Sequence, residues 1–210
     1  MSRIDKERWE NLWVRFTGQH DCSATHQKLL AAYGEPHRIY HTSNHLVDCL
    51  ILFDRVKQLA RRPAEVEVAL WFHDAVYDLY RADNEEKSAL WATEILLING
   101  LDREVSDRVG ELIMATSLFN IPKTEDAKLI IDIDLAILGR STSDYELYEQ
   151  KIRQEYGRVP QSEFNLKRSA LLEAFLTRPT IYYTKRFQDT FENQARINIS
   201  RAIQKLKDYD

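Results

Sequence analysis

A chain of 210 residues, 44% hydrophobic and 30% charged, suits one globular domain with a substantial core and excludes a disordered or fibrous chain. Its 29 basic and 33 acidic residues are interspersed and sum to a formal net charge of -4, which argues against a broad basic surface for nucleic acid or anionic membrane. The two cysteines, Cys22 and Cys49, have no CxxC spacing, no apolar stretch approaches the roughly 18–20 residues of a membrane span, and MSRIDKERWENLW is charged and amphipathic rather than a leader; a soluble, reducing, cytoplasmic setting is expected.

With only 6 glycines and 5 prolines, and apolar periodicity that is helical almost throughout, the pattern predicts an all-α bundle of about nine or ten helices in a single domain over 1–210. Trp9, Leu12, Trp13 and Phe16 stripe the first helix, and a short second one runs from Cys22 to Tyr33 and stops at Gly34. GEPHR breaks the pattern. The next helix takes in YHTSNHLVD and runs to about Ala60, with Leu46, Cys49, Leu50, Phe53 and Val56 as an apolar stripe and His41, His45 and Asp48 along one face. After RRP, AEVEVALWFHDAVYD reads as a helix with Val66, Ala69, Leu70, His73 and Tyr77 on one face.

Asp83 and Glu86 have capping-box spacing for a helix through Asn99, with Gly100 as its stop, and a further helix runs from about Arg103 to Leu118. KLIIDIDLAILGR alternates like a strand over IIDID, yet Leu129, Asp132 or Ile133, Ala136 and Ile137 also fit a helix, which the context favours. Helices around Asp144 to Tyr156, Gln161 to Leu176 and Phe187 to Leu206 complete the chain, with no repeat, low-complexity tract or linker. Trp71, Trp91 and the tyrosines at helical spacing read as core packing rather than a base-stacking platform.

The adjacent pair His73-Asp74 faces the core, where a buried carboxylate needs a metal or a partner charge. Adding His45 and an aspartate from IIDID gives two imidazoles and two carboxylates, a set able to hold a first-row divalent ion with positions left open for water, and hence for hydrolysis. The HxxxH spacing of His41 and His45 lacks the glutamate of zinc-protease HExxH chemistry.

The order His, His-Asp, Asp resembles the HD superfamily of metal-dependent phosphohydrolases. GEPHRIYHTSNHL, LWFHDAVYD, DNEEKSA and DIDLAILG are similar, in order and spacing, to a bacterial group described as predicted HD-superfamily phosphohydrolases, and the resemblance extends to YYTKRFQDTFENQARINI. It implies His45, His73 and Asp74 as ligands of one divalent ion, with Mn, Fe, Ni, Co, Zn and Mg all compatible and Asp74 doubling as a catalytic position. The fourth ligand is Asp132 or Asp134, and laying an Ala-Asp-x-Leu-like pattern over Ile133 to Ala136 favours Asp134. About 200° apart on a helix, one aspartate reaches the metal while the other caps or salt-bridges. YHTSNH also resembles the Tyr-His-Asn-x-x-His motif of cyclic-nucleotide phosphodiesterases, which implies His41 as general acid to the leaving oxygen.

The expected function is therefore hydrolysis of a phosphate ester, with nucleotides among the candidate substrates, by water activated on the metal. Arg38, Lys185 and Arg186 are the cations placed to bind phosphate. Asp48 and Asp78 read either as partners of the ligands or as surface residues, and Glu85 either as a residue orienting water or as an ordinary first-turn acid. The resemblance leads one to expect a histidine, in some members of that group, in the stretch that reads ATSLFN here, and its lack argues against a second metal built on extra histidines. The alternatives are a non-catalytic helical regulatory module that binds metal and ligand, and a structural homo-oligomer without metal. The partner is a small phosphorylated molecule; no nucleic acid or membrane partner is expected, and a homo-oligomer is compatible with the chain.

Overall fold

The scarcity of helix breakers carries through to the architecture. The computed structural model describes residues 3–18, 23–117 and 120–208, without the side chains of residues 3–5. Among them it is all-α, with ten helices: α1 (Arg3–Thr17), α2 (Ser23–Tyr33), α3 (Ser43–Val56), α4 (Pro63–Phe72), α5 (Asn84–Ile98), α6 (Arg103–Ala115), α7 (Glu125–Asp134), α8 (Thr142–Glu155), α9 (Gln161–Thr177) and α10 (Lys185–Lys207). Short 3-10 turns follow α3 at Lys57–Leu59 and α7 at Leu135–Gly139. Cys22, Leu118 and Phe119 lie outside the described residues. No helix among those described is long and apolar enough to cross a membrane. The chain forms two compact units, Met1–Ile130 and Ile131–Asp210, and the boundary falls within α7.

In the first unit α4 is the central helix. Val66, Val68, Ala69, Leu70, Trp71 and Phe72 are all buried, so it has no solvated face, and α1, α3, α5 and α6 pack around it. Trp9 of α1 stacks on Trp13 at 4.8 Å and meets Trp71 edge-on at 5.1 Å. Each such large side chain removed from water stabilises the unit by roughly 1.5–3 kcal/mol. Pro63 at the first helical position presets the backbone of α4, and both oxygens of Asp126 accept from the amides of Arg61 and Arg62, at 2.7 and 3.0 Å, to fix the entry.

Two helix boundaries at the site and one cap differ from the sequence reading, each for a local reason. Thr42 takes an extended N-cap conformation and its hydroxyl accepts from the Asn44 amide, so α3 begins at Ser43 and His41 is not on its face. Next, α4 stops at Phe72, because the His73 ring takes the Leu70 carbonyl and residues 74–83 leave the helix. Asp83 forms no capping box either: its carboxylate takes the Arg81 guanidinium at 2.7 and 2.5 Å, while Gly100 at φ +85° ends α5 as read.

In the second unit α10 presents Phe187, Ala195, Ile199, Ala202 and Ile203 to α8, α9 and the turn after α7. Gly139 in that turn lies so close to α10 that a Cβ there would sit 2.5 Å from Phe191 Cβ. The Asn198 amide donates to the carbonyls of Leu138 and Arg140, both at 2.9 Å, and locks the turn in place.

Candidate metal centre

The helix end that the sequence did not show is what aims His73. A helix leaves its last carbonyls without intrahelical donors, and His73 Nδ1 donates to one of them, Leu70, at 2.8 Å. That bond puts the ring proton on Nδ1 and leaves Nε2 as an acceptor pointing inward. Across from it, in the first turn of α3, His45 Nε2 stands 3.1 Å away. Asp74 Oδ2 lies 3.2 Å from His73 Nε2 and 3.5 Å from His45 Nε2. Both imidazoles are buried.

One proton cannot serve all three atoms. A proton on His45 Nε2 can serve His73 Nε2 or Asp74 Oδ2 but not both, and Asp74 Oδ2 is a buried oxygen with no hydrogen-bond donor. Atoms bound to one ion at ~2.0–2.2 Å stand about 3.0–3.5 Å apart at right or tetrahedral angles, which is the spacing found. The donor set therefore fits a divalent ion. Burial works against ionising Asp74, but the facing His73, helped by His41 and His45, outweighs it and holds the carboxyl well below the ordinary carboxylate range.

Arg38 does not reach toward phosphate. Its side chain is fully buried, and the guanidinium donates to the Asp74 carbonyl at 2.6 Å, the Ala75 carbonyl at 3.2 Å, the His41 carbonyl at 3.2 Å and the Glu35 carboxylate at 3.0 Å. The rings of Tyr33 and Tyr77 lie 5.3 and 5.4 Å from it. Arg38 thus ties the turn carrying His41 to the turn carrying Asp74, with every N–H committed. Arg38→Ala is expected to cost roughly 2–4 kcal/mol in chemical denaturation, since each carbonyl left unsatisfied costs ~1–3 kcal/mol. Arg38→Lys should recover little, because one ammonium cannot span these acceptors.

His41, although off the helix, remains near the centre: its ring is 5.8 Å from that of His45, stacks on Tyr77 at 4.3 Å and meets Tyr40 edge-on at 5.0 Å. Asp48 is exposed on α3. Asp78 is exposed too, its carboxylate accepting from the Tyr80 amide in a turn. Glu85 is half-buried in the first turn of α5. Two further residues of DNEEKSA brace the site. Ser88 Oγ accepts from the Val76 amide at 2.9 Å, and the Asn84 side chain bonds both backbone groups of Asp78, so α5 holds the loop that follows His73-Asp74.

In the second unit the two aspartates of IIDID divide. Asp132 is fully buried, and its oxygens accept from the Tyr183 amide at 2.8 Å, the Thr184 amide at 2.7 Å and the Thr184 hydroxyl at 2.6 Å, fixing the segment just ahead of α10. Burial pushes its carboxyl up to about 6 against the pull of those donors. Asp134, the last residue of α7, is half-buried. The stretch YYTKRF thus serves Asp132 through its backbone. Lys185 pairs with Asp189 on the exposed side of α10, and Arg186 is exposed as well.

One side chain in the site was hidden in the sequence by the apolar stripe of α3. The ligand atoms of His45, Cys49 and His73 lie within 4.8 Å of one another, all three residues buried, and such a cluster can hold a metal ion. The spacing of Cys49, four residues after His45, was the available signal. The chain matches no protein-family model, no curated protein and no solved structure.

Proposed function

We propose that the protein is a metal-dependent phosphohydrolase of the HD type that hydrolyses a small phosphate ester, nucleotide esters included. The observation that carries this reading is the convergence of His45 Nε2, His73 Nε2 and Asp74 Oδ2 within 3.1–3.5 Å, beside a further imidazole, His41. A divalent ion there supplies Lewis acidity and lowers the pKa of a water that it binds. His45 and His73 would hold the ion as neutral imidazoles, the tautomer of His73 being set by the Leu70 carbonyl, and Asp74 would supply the anionic donor. His41, held by Tyr77 and by its carbonyl on Arg38, donates a proton to the leaving oxygen.

The resemblance implies a fourth ligand at Asp132 or Asp134, and the oxygens of Asp132 are already taken by the Tyr183 and Thr184 amides and the Thr184 hydroxyl. Asp132→Ala is expected to keep the metal and lose roughly 2–4 kcal/mol of stability, with two amides and a hydroxyl left unpaired. Asp134→Ala is expected to lose metal affinity with a smaller loss of stability. Metal titration beside denaturant unfolding of both variants separates them, and the opposite pattern would assign the ligand to Asp132. Lys185 and Arg186 are the cations proposed for phosphate, since the Arg38 guanidinium is engaged by the Asp74 and Ala75 carbonyls.

Turnover of the metal-loaded protein across phosphomonoesters, cyclic nucleotides and pyrophosphates tests the function. Hydrolysis of one class supports the reading. A bound ion with no turnover on any of them replaces it with a non-catalytic metal- and ligand-binding module.

A further inference from the structure

Cys49 follows His45 by one helical turn, so the two side chains share a face of α3. Its sulfur stands 3.8 Å from Nε2 and 3.9 Å from Nδ1 of His45. Ligands sharing one ion at ~2.3 Å for sulfur and ~2.0–2.1 Å for nitrogen stand about 3.1–3.6 Å apart, so a small rotation of one side chain closes the gap. An apolar residue would fill this core position as well. What sets the thiol apart is its company: two buried imidazoles and a carboxylate oxygen that lacks a donor, all within one unit of the fold.

We propose that Cys49 binds the ion as a thiolate, and that the centre consequently prefers borderline-soft ions such as zinc, cobalt or iron(II) to magnesium. This rests on the metal reading above and narrows it, since that reading alone leaves six ions open. The thiol S–H bond breaks, the proton leaves to solvent, and a sulfur–metal bond forms. The thiolate adds one negative charge beside the Asp74 carboxylate against the divalent ion. Thiolate selects soft and borderline ions, whereas magnesium demands oxygen ligands and keeps its water.

Loading the metal-free protein with Co²⁺ and recording its absorption tests the inference. Wild type and Cys22→Ser are expected to show a sulfur-to-cobalt charge-transfer band in the near ultraviolet, and Cys49→Ser to bind cobalt without it. Zinc affinity of Cys49→Ser should fall more than about 100-fold, beyond the ~10–100-fold typical of residues that merely orient a ligand, with magnesium affinity unchanged. The wild-type band needs no variant to fold. Cobalt bound without that band, or a band lost in Cys22→Ser but kept in Cys49→Ser, overturns the assignment of Cys49 and leaves the metal reading standing. No cobalt bound at all overturns both.

Discussion

His45→Ala is expected to leave a folded protein that no longer binds its divalent ion and no longer turns over substrate. His45 is the cleaner ligand to remove, because His73 also caps α4 through Leu70, and its loss would confound metal affinity with stability. Truncating His45 costs packing, on the order of 1–3 kcal/mol for a buried side chain of this size. The metal term is separate and depends on the ion's concentration. An ion that binds only the folded state stabilises it by about 2.7 kcal/mol at a free concentration 100 times its Kd. Wild type should therefore gain stability on titration with the ion, while His45→Ala gains none at the same concentrations. Calorimetric titration and thermal melts with and without metal check both halves, and an equal metal-induced gain in the variant would remove His45 from the ligand set.

His41→Ala is the contrasting case. The ring stands 5.8 Å from that of His45, in the turn ahead of α3, and stacks on Tyr77. The variant should keep its ion and lose turnover by roughly 10²–10⁴-fold, the usual scale for removing a general acid. The loss should shrink for a nitrophenyl ester, whose leaving oxygen needs little protonation. Metal loss equal to that of His45→Ala would make His41 a ligand, and undiminished rates on both ester types would make it a bystander.

How much of this was legible in the residues differs from element to element. The all-α class follows from 3.6-residue periodicity and few breakers, and even IIDID, which alternates like a strand, was placed in a helix by its flanking apolar residues. The HxxxH spacing puts His41 on the face of α3, whereas Thr42, a good N-cap residue, starts the helix at Ser43 and leaves His41 in the turn ahead of it. The end of α4 was not legible, since a histidine side chain rather than a glycine stops the helix, and only tertiary structure shows the ring on Leu70. Arg38 is the sharpest difference. A lone arginine beside a histidine motif reads as a phosphate ligand, and nothing local reveals that residues 36 and 37 positions later in the chain bring their carbonyls to it. Ser88 and Asn84 were likewise passed over beside Glu85, because a backbone bond to a distant loop leaves no mark on periodicity. Cys49 was read as one more member of an apolar stripe, which it also is.

The central claim, that His45, His73 and Asp74 share one divalent ion, is tested most directly by anomalous diffraction from crystals of the protein equilibrated with zinc or manganese. The account predicts one strong anomalous peak within about 2.0–2.2 Å of both Nε2 atoms and an Asp74 oxygen. A map with no peak there, in which His45 and His73 share a proton across their 3.1 Å separation instead, would contradict it.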